Sequence, residues 1–174
     1  MEGASLARVR QGHLLRYYPN STLVQGRNPL YPNSTLVQGR NRLYAEATES
    51  FPGSSFSCYI MMDRDVTLRE VLYFGFNTGS AWATFERYLL EWEPAVGFPH
   101  FGAADYDDES EVQLVFNFAQ IVVAYHAEAA GRLLPYTEAF DGVSWWYCGP
   151  VQNALCAAVN NDRRIQFNAL HALS

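Results

Sequence analysis

The spacing of apolar residues along the chain predicts its elements. Over residues 81–93, Trp82, Phe85, Leu89 and Trp92 recur at three- and four-residue intervals, which is one face of an amphipathic helix. Ser80 can cap that helix and Pro94 ends it. From Val112 to Tyr125 nearly every position is apolar, interrupted by Gln113, Asn117 and Gln120. Extended to 111–134 and closed by Gly131 and Pro135, this run predicts a long central helix buried on most sides. Its apolar part is 14 residues long, short of the roughly 20 that a membrane span needs.

Shorter patterns fill the rest. Phe56–Met62 is rich in β-prone residues and predicts a buried strand, with Ile165–Leu170 as a final strand paired to it. Asp65 and Thr67-Leu68-Arg69-Glu70 carry helix-start spacing, followed by the apolar stripe Leu68, Val71 and Leu72. Leu6, Val9 and Leu14 suit a short helix within 1–17, and Gly149-Pro150 opens another through Val159. Loops are expected at 51–55, 95–111 and 160–162. The expected fold class is α+β: a mostly helical single domain with a small sheet, a central buried helix at about 111–134 and a surface N-terminal arm.

The arm comes from a tandem repeat. Residues 18–30 read YPNSTLVQGRNPL and residues 31–43 read YPNSTLVQGRNRL, so the copies differ only at Pro29 versus Arg42. Two copies of 13 residues are too few and too short for a solenoid. A packed interior has no spare volume for such an insertion, whereas surface loops lengthen at small entropic cost. Residues 18–44 are therefore expected as a surface arm or hairpin, in which Thr-Leu-Val-Gln forms a short strand after a Pro-Asn-Ser turn. Residues 45–174 make the compact body. Asn20-Ser21-Thr22 and Asn33-Ser34-Thr35 match the glycosylation sequon and read as turn residues.

Composition adds an electrostatic division. Residues are 49% hydrophobic, 15% aromatic and only 17% charged, against a typical charged share of about 25%. All twelve basic residues are Arg. A GC-rich coding sequence would explain this, as would avoidance of lysine-directed modification inside a host cell. Residues 1–43 hold six Arg against Glu2 (+5), while the remainder holds six Arg against seventeen acids (−11), giving −6 overall. Tyr17, Tyr18, Tyr31 and Tyr44 interleave with Arg16, Arg27, Arg40 and Arg42. Arg and Tyr are enriched at protein interfaces. The acidic balance favours a protein partner over RNA or single-stranded DNA, which call for a basic domain.

The three cysteines, Cys58, Cys148 and Cys156, do not make a disulfide framework. The N-terminal stretch lacks the apolar centre of a signal peptide. A cytoplasmic or host intracellular location is expected, with an Arg-rich mitochondrial presequence as the alternative.

Three groups of residues carry candidate chemistry. Cys148-Gly149-Pro150 opens an apolar helix, where the dipole favours a thiolate. The turn resembles that of some papain-like cysteine peptidases, which implies a hydrolase in which Cys148 works with His126 or His171, and Asp141 orients the base. The chain departs from that pattern at Gly142, where those enzymes tend to carry Gln. The acidic run Asp105, Asp107, Asp108, Glu109 and Glu111 alternates like a calcium loop, but Ser110 and Phe116 occupy its sixth and twelfth positions, which excludes an EF-hand. It reads as an acidic turn at a helix start, or as a dock for the Arg-rich arm. His100, His126 and Glu128 lie outside any His-Glu-x-x-His or Cys-x-x-Cys spacing, so neither a metal nor a cofactor is expected.

The expected function is a non-enzymatic protein-interaction or assembly module of accessory, viral or effector type, capable of self-association. Its partner-binding residues would be Arg16, Tyr18, Arg27, Tyr31, Arg40, Arg42 and Tyr44. The cysteine hydrolase is the first alternative and nucleic-acid binding through the arm the second.

Overall fold

The computed structural model describes residues 5–7, 15–17, 23–27, 35–50, 56–63, 66–71, 74, 79–102, 110–140, 148–160 and 163–173. For the first three of these segments, and at Ser50, Cys148 and Asn160, it describes the backbone alone. Helices and strands take up similar shares of these residues, so the fold is α+β but not mostly helical.

The principal sheet contains seven strands and is mixed. Its order is β3 (Leu23–Arg27), β4 (Cys58–Met62), β8 (Val122–His126), β6 (Val96–Phe101), β9 (Arg164–Leu173) and β5 (Thr67–Glu70), with β7 (Val112–Leu114) also pairing β9. The sheet curls into a half-barrel. The ten-residue β9 pairs β6 along one edge and divides the other between β7 and β5. A separate antiparallel pair joins β1 (Ser5–Ala7) to β2 (Leu15–Tyr17), so strands stand where the expected N-terminal helix of 1–17 would lie.

Helices cover both faces of the sheet. Alternate residues Cys58, Ile60, Met62, Val122 and Ala124 pack with Phe85, Tyr88 and Leu89 of α2 (Ala81–Trp92). The opposite face presents Met61, Val123 and Tyr125 to Val37 of α1 (Leu36–Ser50), to Ala129, Ala130 and Leu133 of α3 (Ala127–Leu133), and to Cys156 of α4 (Cys148–Asn160). A strand buried on both faces reads as a continuous apolar run. That is why 111–134 resembles a buried helix in sequence. It is instead β7, an irregular link, the central strand β8 and the short α3.

Three further readings differ from expectation. Val96–Phe101, expected within the loop of 95–111, is the buried strand β6 between β8 and β9. Residues 67–70 alternate exposed and half-buried positions, as an edge strand does, and pair β9 rather than starting a helix. β4 pairs β3 and β8, while β9 pairs β5, β6 and β7, so the predicted pairing of 56–62 with 165–170 is absent from the described sheet.

α2 matches its predicted span closely. Ser80 Oγ accepts the Ala83 N–H at 3.3 Å, capping the helix as its spacing implied. Phe85 and Leu89 are buried and Trp82 is half-buried, but Trp92 lies exposed and Tyr88 takes its place in the core. The helix lies close over β6 at Gly97, where an added Cβ would meet Leu89 Cδ2 at 2.6 Å and the Pro94 ring at 2.9 Å.

The repeat shows the clearest effect of context. Leu-Val-Gln-Gly-Arg is strand β3 at 23–27 and the first turns of α1 at 36–40. In the second copy Thr35 caps the helix. Its Oγ1 accepts the Gln38 N–H at 3.2 Å, and Gln38 Oε1 accepts the Thr35 N–H at 3.4 Å, a reciprocal capping box. Val37, Arg40, Leu43 and Ala47 then form the buried stripe of α1. Within the described residues of 18–44 the expectation of a surface arm is overturned: β3 belongs to the sheet, and α1 contributes to the core, while 18–22 and 28–34 lie outside the described residues.

Candidate functional site

The described residues of the expected partner-binding set do not form one open surface. Arg40 is only 3% exposed. Its guanidinium donates to Asp63 Oδ1 at 2.7 Å and to the Gln120 carbonyl, and lies 5.8 Å from the Tyr136 ring centroid. Burial opposes its charge, but Tyr136 and Asp63 outweigh that and leave its pKa raised. Arg40 thus ties α1 to the end of β4 and the entry to β8, and it leaves the partner-binding set. Arg42 is on the exposed side of α1. Tyr44 is half-buried, edge-on to Tyr59 at 5.0 Å. Arg16 and Arg27 lie in β2 and β3, where the backbone alone is described, and Tyr18 and Tyr31 lie outside the described residues.

Of the acidic run, Asp105, Asp107, Asp108 and Glu109 lie outside the described residues. Glu111 is half-buried and accepts a hydrogen bond from the Tyr88 hydroxyl on α2. Partial burial raises its pKa, and Arg87 opposes the shift. Glu111 therefore holds β7 to α2 instead of preceding a long helix.

The candidate catalytic groups fall at different places. Cys148 is the first residue of α4, and Asp141 is outside the described residues. His126 ends β8, opposite Cys58 on β4. His171 lies far along β9, opposite Arg69, with its ring centroid 5.0 Å from that of the buried His100. The described cysteine nearest His126 in register is thus Cys58. Burial and the charge of Glu93 push the Cys58 thiol up to about 12, the reverse of what a nucleophile requires. Among the described residues there is no group of His, Cys, Asp or Glu that would hold a metal ion.

His126 does line a pocket of about 210 Å³ with Glu93, Ala95, Glu128, Ala129, Arg132 and Arg163. Its floor is fixed by backbone bonds. The His126 N–H donates to the Ala95 carbonyl at 3.1 Å, and the Val96 N–H donates to the Arg163 carbonyl at 3.2 Å. Glu93 closes α2 in the left-handed region (φ 41°), its N–H bonded to the Leu89 carbonyl.

A second feature is the outward face of α4. Gln152 and Cys156 are buried, while Ala154, Leu155, Ala157, Ala158 and Val159 are exposed. Gln152 reaches inward to donate to the Leu133 carbonyl at 2.9 Å. The helix therefore turns a polar residue in and apolar residues out, and it carries no charge along its length. Beside it, the Phe118 N–H donates to Asn153 Oδ1 at 3.1 Å. Leu114 and Phe116 just before it are 67% and 80% exposed. Arg164 bonds the Phe116 carbonyl and sits 5.9 Å from its ring centroid, which steadies the exposed aromatic. Sequence reasoning located this helix but did not assign its faces. The signal available was a 13-residue helix without a single charged residue.

No helix among the described residues is long and apolar enough to cross a membrane. Compared with known proteins, the chain matches no family model, no curated sequence and no solved structure.

Proposed function

We propose that this chain is a non-enzymatic assembly module that pairs with a second copy of itself through the outward face of α4 and the adjoining Leu114 and Phe116. The observation that supports this is the inside-out α4, with Leu155 and Val159 exposed by 39% and 40% next to an 80%-exposed Phe116. Contiguous exposed apolar surface marks interaction sites, and aromatic anchors are common among the residues that dominate binding. Charge selects the occupant. Each copy carries −6 overall, so two copies repel over most approaches. The uncharged α4 is a face on which they meet without opposing like charges, and an isologous contact sets it against itself.

The test is sedimentation equilibrium across a concentration range, comparing the native chain with Leu155→Glu and Phe116→Ser. The native chain should approach twice the monomer mass. Both variants should stay monomeric with unchanged circular dichroism, since neither side chain is in the core. A native chain that remains monomeric throughout would refute the proposal.

A further inference from the structure

The pocket at His126 collects charged groups of both signs at its solvent-exposed rim, around a half-buried imidazole. Glu93, Glu128, Arg132, Arg163 and His126 all line it, and among the described residues none of these side chains holds a hydrogen bond or an ion pair. Glu128 and Arg132 stand four apart on α3, a spacing at which such side chains readily pair, yet they do not. The groups come from the ends of α2, β8 and α3 and from the approach to β9.

Glu93 supplies an independent observation. It is the one non-glycine residue with positive φ among the described residues, at φ 41°. A helix end of this form ordinarily takes Gly, which meets no Cβ penalty there. A side chain held at such a position against its backbone preference is a pointer to function. Glu93 is also one of the residues that line the pocket.

We propose that this pocket binds a small zwitterion, a free amino acid or short dipeptide carrying one carboxylate and one ammonium group. Arg132 and Arg163 receive the carboxylate. Glu93 and Glu128 receive the ammonium, and His126 offers a further hydrogen bond. A simple anion would leave two carboxylates facing it, and a simple cation would leave two guanidiniums; either arrangement penalises the wrong ligand through unpaired charge. The pocket's volume of about 210 Å³ suits a small molecule and not a folded partner.

The experiment is calorimetric titration of the full chain with glycylglycine, propionate and propylamine at low salt. Glycylglycine should bind with a Kd of about 1 mM or tighter, and the two single-charge probes at least tenfold more weakly. Glu93→Gly should weaken glycylglycine binding tenfold or more while leaving the melting temperature unchanged or higher, because Gly suits the backbone there. Arg132→Gln should weaken glycylglycine binding likewise. Three results would overturn the proposal: propionate or propylamine binding as tightly as glycylglycine, no binding by any probe, or full glycylglycine affinity in the well-folded Glu93→Gly variant.

Discussion

Single residues carry much of this molecule's individuality. Arg40 has the same local sequence as Arg27, yet α1 turns it into the core against Asp63. Removing one member of a buried ion pair leaves the other charge uncompensated, which costs about 3–5 kcal/mol. Arg40→Ala should approach that loss in chemical denaturation, moderated because Asp63 keeps 23% of its side-chain surface exposed. Cys58 makes a pH-dependent prediction. Its folded thiol titrates at about 12 against an ordinary 9.0, so the unfolded chain gives up that proton first. The stability it contributes is whole below pH 9.0 and drains away as pH rises toward about 12. Partial burial also raises Tyr44 and Tyr59, which tilt stability the same way. Denaturation midpoints measured from pH 8 upward should fall, and Cys58→Ala should make the fall shallower. A thiol so placed should also react slowly with iodoacetamide at neutral pH until the chain unfolds.

At the scale of elements, one substitution separates the two copies of the repeat, and it bears on their different structures. Each copy has the Thr-x-x-Gln spacing of a capping box. Only the second continues into good helix formers, Arg42-Leu43-Tyr44-Ala45-Glu46-Ala47. The first meets Pro29 and then Pro32, which remove backbone donors and clash with the preceding turn. Arg42→Pro makes the second copy match the first and should break α1 at a cost of ~3 kcal/mol or more, seen as lost helical ellipticity and a lower melting temperature.

Part of the element pattern was legible in sequence. α2 was readable from its 3.6-residue stripe and its Ser80 cap, and α4 and the strand at β4 from local composition. α1 was missed because Leu-Val-Gln is β-prone in isolation, although Thr35 and Gln38 announced a helix start. β8 was missed because a strand buried on both faces has no alternation to show. The pocket was not legible, since Glu93, His126, Arg132 and Arg163 are scattered in the chain and meet only once the sheet has formed.

At the scale of the whole molecule, the sheet with helices on both faces leaves little of its own surface free. Among the described residues, α4 and the end of β7 carry Leu155, Val159, Leu114 and Phe116 as exposed apolar side chains. Two routes to association differ in physical kind. An Arg-rich segment docking on the acidic body is Coulombic and should fade as screening shortens to ~3 Å at 1 M salt. Contact through Leu155, Val159 and Phe116 is apolar and should persist, and kosmotropic salts should strengthen it. The most direct measurement is therefore the mass of the native chain by sedimentation equilibrium in low salt and in 1 M sodium chloride, beside Leu155→Glu. Pairing through α4 predicts a dimer at both salt concentrations and a monomeric variant. A monomer at both, a dimer that dissolves in high salt, or a Leu155→Glu variant that dimerises as well as the native chain would contradict it.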